Sequence, residues 1–192
     1  MGTGNIVGEK IRFMRKEQKI SREQLAEAAS LSVEQLERIE QDEDLPSLAP
    51  LIKIARVLGV RLGTFLDESL SNEPSVCRKM EAIDSISFSN NSAKSRTHME
   101  YKSLAKSKSN RHMEPFMIDV LPLQHPTDYT TSSHEGEEFI LVREGQMEIS
   151  YGTEKYILNE GDSIYYDSIV PHHVHTYGDQ SAKILAVIYT PV

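Results

Sequence analysis

Tryptophan is absent from this sequence, cysteine occurs once, and no apolar run approaches the roughly 18 residues that a bilayer-spanning helix needs. Each lack excludes something. A lone Cys77 rules out an internal disulfide, which agrees with a reducing compartment and an inert thiol. The N-terminus MGTGNIVGEK lacks the apolar middle of a signal peptide, so the expected location is the cytoplasm, with no membrane contact. Basic residues are scarce toward the C-terminus. Residues 1–70 carry 10 basic and 12 acidic side chains, residues 71–112 carry 8 and 4, and residues 113–192 carry 3 and 13. The acidic C-terminal part is a poor surface for nucleic acid, so any such contact belongs nearer the N-terminus.

What is present begins with helical periodicity. Ile6, Val7, Ile11 and Met14 recur at helical spacing in IVGEKIRFMRKEQ, and SREQLAEAA opens on Ser21 as a cap. Ser30 and Leu31 break that helix before SVEQLERIEQ, where Ser32 and Gln35 have the spacing of a capping box. A fourth helix, SLAPLIKIARVLG, starts after Pro46 and stops at Gly59, and RLGTFLDE supplies a short fifth. Two short helices joined by a few residues predict a helix-turn-helix.

The stretches IRFMRKEQKIS, REQLAEAASLSVEQLERIEQ, PSLAPLIKIARVLGV and FLDE resemble the Xre/Cro/C1 helix-turn-helix regulators over about residues 6–68. The resemblance implies a five-helix, lambda-repressor-like DNA-binding domain over residues 1–68. Its recognition helix would be Val33 to Gln41, with Val33, Glu34 and Arg38 toward bases, Arg22, Gln24 and Lys19 near phosphate, and Ser32 also among the DNA-binding residues. It also makes Leu36 and Ile39 core residues and pairs Arg15 with Glu40 internally. EQDEDLP departs from the family's small basic turn, and Glu40, Asp42, Glu43 and Asp44 would oppose a phosphate backbone.

SLSNEPSV has no periodicity and marks a linker at residues 69–75. HMEYKSLA and EPFMIDVLPL alternate on either side of KSKSN, as long hairpin strands do; SISFSNNSAKSR reads either as hairpin turn or as basic tether. From residue 137 the chain is strand and turn, with glycines at 136, 145, 152, 161 and 178 at strand-length intervals.

HEGEEFILVREG and EGDSIYYDSIVPHHVH resemble the two motifs of the cupin family, in a domain spanning residues 76–192. That implies an all-β cupin barrel, a double-stranded β-helix or jelly roll, behind the helical domain: a multi-domain α plus all-β chain. The resemblance places His134, Glu138 and His172 at three metal-ligand positions and Ser132 where the first histidine would stand. Two histidines and a carboxylate suit Fe, Mn, Ni or Zn, one divalent transition metal, and the same groups could instead line a pocket that holds an organic molecule. If Glu138 points inward, so do Ile140 and Val142, while Phe139 and Leu141 face the opposite layer. Phe116 and Tyr166 join Ile140 and Val142 as candidate pocket walls, and with His172 inward His173 faces away.

Three functions follow. The leading one is a DNA-binding transcription regulator, a homodimer on double-stranded DNA whose barrel senses a small-molecule effector, and not an enzyme. The others are a mononuclear metal-dependent oxidase or epoxidase built on the same two domains, and a protein-docking module favoured by the acidic turn.

Overall fold

The computed structural model describes residues 7–43, 48–67, 73–78, 99–108, 110–123 and 131–191. Five helices come first: α1 (Val7–Glu17), α2 (Arg22–Ala28), α3 (Val33–Glu40), α4 (Leu48–Val57) and α5 (Leu62–Leu66). Ser21 caps α2 with a reciprocal box, its hydroxyl accepting from the Gln24 N–H and the Gln24 side chain from the Ser21 N–H. At α3, Ser32 accepts from the Gln35 N–H at 3.0 Å, so the complete box forms one helix earlier than its expected place. Pro50 sits in the first turn of α4, where its missing N–H costs no helical bond. Ile11, Leu25, Leu36, Ile39, Leu51 and Ile54 are buried together as the helical core.

The acidic turn is partly absorbed by this core. Glu40 is buried against Arg15, as expected, and Asp42 accepts the Gly8 N–H at 2.8 Å, which satisfies an amide in the first turn of α1. Burial pushes the Asp42 carboxyl above its usual range, against that hydrogen bond. Asp44 lies outside the described residues, as do most of the expected linker and residues 85–98.

Eight strands follow: β1 (Met99–Ser103), β2 (Met113–Val120), β3 (Glu137–Glu144), β4 (Met147–Tyr151), β5 (Glu154–Leu158), β6 (Ser163–Asp167), β7 (His172–Thr176) and β8 (Ala182–Tyr189). The hairpin expected around KSKSN is β1 against β2, paired from Met99 opposite Val120 to Ser103 opposite Phe116. Strands β1-β2-β8-β3-β6 make one antiparallel sheet and β5-β4-β7 the other. Strict alternation fills the layer between them: Phe116, Ile118 and Val120 of β2, Ile140 and Val142 of β3, and Ile184, Ala186 and Ile188 of β8 are buried.

The two halves meet through charge as well as apolar contact. Arg111 donates to Asp67 just past α5 and to Glu114 at the start of β2, each at 2.8 Å. Glu114 also accepts the Gly63 N–H of α5, a helix whose own N-cap, Arg61, makes no side-chain capping bond. Gly63 leaves room for this pair: a Cβ would lie 2.8 Å from the Glu114 carboxylate and 3.0 Å from the Arg111 guanidinium, and both side chains would have to shift. Burial pushes the Glu114 carboxyl up to about 7, with Arg111 pulling the other way. When the halves part, Glu114 returns toward about 4.5. Between those values the closed arrangement holds a proton that the open one releases. Closure is therefore strongest at or below pH 4.5 and weakens as pH rises toward 7, by at most about 3 kcal/mol. Urea midpoints at pH 5 and 8 should show this slope in the wild type and lose most of it in Glu114→Gln; equal slopes would clear Glu114 of the effect.

Candidate metal centre and nucleic-acid interface

His134 and Glu138 flank the entry to β3, and His172 opens β7 in the facing sheet, so the barrel brings together residues 38 apart in sequence. Between the first two, Gly136 adopts a φ of +112° and crosses the end of β8, where a Cβ would sit 2.0 Å from the Tyr189 carbonyl oxygen. A glycine is the residue that lets the chain turn inward between the two side chains. His134 Nε2 lies 2.9 Å and His172 Nε2 3.4 Å from the same Glu138 oxygen, Oε1. The other oxygen accepts the Tyr166 hydroxyl at 2.7 Å. All three side chains are buried, and one ligand atom from each lies within 4.8 Å of the others.

The tautomers follow from the partners. His134 Nδ1 faces the Glu135 carbonyl at 3.0 Å and His172 Nδ1 faces the Val170 carbonyl at 2.9 Å. A carbonyl only accepts, so both Nδ1 atoms carry hydrogen, and in a neutral imidazole Nε2 is then a bare lone pair. Two lone pairs aimed at one carboxylate repel unless a proton or a cation lies between them. A divalent metal satisfies all three at once, with backbone carbonyls fixing the ring orientation from behind. Burial raises the Glu138 carboxyl, but positive charge at the two Nε2 positions, supplied by a proton or by a bound cation, overrides it and holds it well below the usual carboxylate range. Tyr166 is pushed well above its ordinary value by burial and by Glu138. It stays a neutral donor.

The cluster forms one wall of a cavity of about 70 Å³ whose remaining surface is mostly apolar. Ile140 lines it, and so does Ser132, which pairs by backbone with His172 and stands beside the triad where the first motif histidine would be. Phe116 and Val142 are buried in the inner layer but do not reach the cavity; Phe116 packs edge-on to Tyr101 at 5.8 Å. Tyr166 acts through Glu138 from the second row. Wall residues that the sequence did not single out include Tyr101, Ile118, Val174 and Ile184 from the barrel and Leu48 and Ala49 from α4. For the barrel residues the signal was alternation, which marks an inner layer without marking the void within it. His173 stacks on His175 at 5.1 Å, with His175 3.5 Å from Glu148, but His173 is buried and also borders the cavity, so it does not face wholly away as alternation along β7 predicts.

On the helical half, Ser32, Val33, Glu34 and Gln35 are exposed at the N-terminal end of α3, and Arg38 is half-buried. Arg22 is already engaged, bonding Glu37 at 2.8 Å and Glu40 at 3.2 Å, so a phosphate would have to compete for it. Gln24 is exposed but holds the cap of α2. Lys19 is exposed in a left-handed turn after α1.

Residues 11–65 match the helix-turn-helix family and residues 123–188 match the cupin domain. The chain joins a helix-turn-helix region to a cupin domain. This helix-turn-helix and cupin protein is 26% identical to the HTH-type transcriptional regulator PuuR of Escherichia coli (strain K12), over 96% of this chain and 94% of that one. It is 32% identical to the (S)-2-hydroxypropylphosphonic acid epoxidase of Streptomyces wedmorensis over 45% of this chain and 46% of that enzyme. An HTH_3 family regulator from Vibrio cholerae has the same fold, with a TM-score of 0.71, 22% identity and coverage of 98% of this chain and 97% of that one. Among the described residues, no helix of the protein is long and apolar enough to cross a membrane.

Proposed function

We propose that this helix-turn-helix and cupin protein is a transcription regulator that reads double-stranded DNA through α3 and senses a small effector in its barrel. The observation that carries the reading is the pairing, in one chain, of an exposed α3 N-terminus with a polar-ended, mostly apolar cavity in the barrel. Likeness to PuuR along nearly the whole chain supports it. Two copies on two half-sites, in the cytoplasm, complete the proposal. His134, Glu138 and His172 would hold one divalent transition metal, which would supply open coordination positions for the polar head of the effector. The apolar wall would take its body.

Arg38→Ala tests the DNA half. Affinity for a duplex selected from random sequence should fall by about 1–3 kcal/mol with the fold intact, and preference at one base position should relax. Unchanged affinity would remove Arg38 from the reading face.

An oxidase is the second reading, favoured by the two-histidine, one-carboxylate cluster and by the epoxidase relative. That relative's name specifies a phosphonic acid, an anion, whereas among the described residues no lysine or arginine lines this cavity. A phosphonate substrate is therefore poorly matched here, and oxygen-dependent turnover by metal-loaded protein is the assay that would reverse the order of the two readings.

A further inference from the structure

The cavity beside the triad is not closed by the barrel alone. Leu48 and Ala49, in the first turn of α4, form part of its wall, and only 6% and 7% of each is exposed. The other end of the same helix reaches the loop behind the triad: Arg56 pairs with Glu135 at 2.5 Å, and the Glu135 carbonyl accepts the His134 Nδ1–H. So α4 touches the ligand end of the barrel twice, with an apolar turn over the void and a cation on the loop that orients His134. Leu51, Ile54 and Ala55 of α4 are meanwhile buried in the helical core that includes Leu25 and Leu36; α4 packs on α2 and α5, and α2 on α3, so a shift of α4 bears on α3 through α2.

We propose that α4 of the DNA-binding half is a movable wall, the lid of the effector pocket, so that an effector pressing on Leu48 and Ala49 displaces α4 together with the recognition helix. The inference rests on the regulator reading and adds how its site is coupled. An effector moves the equilibrium only through different affinity for two arrangements, and a lid made from the output domain supplies that difference directly. Leu48 and Ala49 then set which effectors fit under a closed lid and which force it open.

The test needs neither DNA nor effector. In a Cys77→Ser background, Ala49→Cys should react with iodoacetamide at least roughly tenfold more slowly than Glu34→Cys on the exposed end of α3. Adding Ala186→Phe, which fills the cavity from β8 as a ligand would, should speed labelling at position 49 by about tenfold or more. Should Ala186→Phe fail to give a folded circular-dichroism spectrum, Arg56→Ala with Arg111→Ala releases the same face from outside and should have the same effect. Labelling at position 49 as fast as at 34 in the otherwise native chain would overturn the lid. So would a slow rate that a folded Ala186→Phe chain, or in its place the Arg56→Ala with Arg111→Ala chain, leaves unmoved. A chain that binds no DNA but protects and releases position 49 loses the regulator reading and keeps the lid; the converse loses the lid alone.

Discussion

His172→Ala is expected to cost the protein a divalent transition metal that the wild type retains through chelator-free purification. The reason lies in the tautomers: with both Nδ1–H groups spent on backbone carbonyls, His134 and His172 present Nε2 lone pairs to a carboxylate held in its charged form. Removing one of three ligands should weaken binding by more than the ~10–100-fold typical of losing an outer partner. His175→Ala is the matched control, since His175 sits on the other face of β7 beside Glu148. Elemental analysis of the three proteins decides it. Metal in the wild type and the His175 variant only is the expected result, and equal content in the wild type and His172→Ala would end the metal assignment. Protons compete for the same lone pairs, so occupancy should also fall as the solution is acidified.

Much of this site could be read before any coordinates. Alternation along EEFILVRE put Glu138, Ile140 and Val142 on one face, and the two cupin-like motifs named the three residues that meet. Helix caps at Ser21 and Ser32 and the stop at Gly59 were equally local. What the sequence hid was relational. The apolar positions of LAPLIKIARV look alike whether they face their own bundle or a neighbouring barrel, so nothing marked Leu48 and Ala49 as pocket wall. Inner-layer residues likewise look alike whether they border a void, as Ile140 does, or pack solidly, as Phe116 and Val142 do. The acidic turn shows a related limit: charge counted along the chain cannot distinguish Glu43, which is exposed, from Asp42, which accepts the Gly8 N–H in the first turn of α1. Arg22 illustrates the same limit in reverse, a cation that position suggests for phosphate but that Glu37 and Glu40 already hold.

Glu40 carries the largest expected stability effect in the helical half. Its carboxylate is fully buried and takes both Arg15 Nε at 2.5 Å and Arg15 Nη2 at 2.9 Å, with Arg22 Nε on the second oxygen at 3.2 Å. Glu40→Ala therefore leaves two guanidinium groups facing each other, one of them 91% buried, and should cost about 3–5 kcal/mol. Against a domain stability of about 5–15 kcal/mol that is enough to unfold much of the helical half near physiological temperature. Burial alone does not make the pair stabilising, because desolvating both ions offsets most of their attraction. The double change Arg15→Met with Glu40→Leu should accordingly recover most of the loss in urea unfolding, while Glu40→Ala alone should not. A cost below about 1 kcal/mol for Glu40→Ala would mean that water reaches the pair. The pair's retained use would then be geometric: it ties α1 to the end of α3 and, through Arg22, α2 to α3, which fixes the angle at which the recognition helix leaves the bundle.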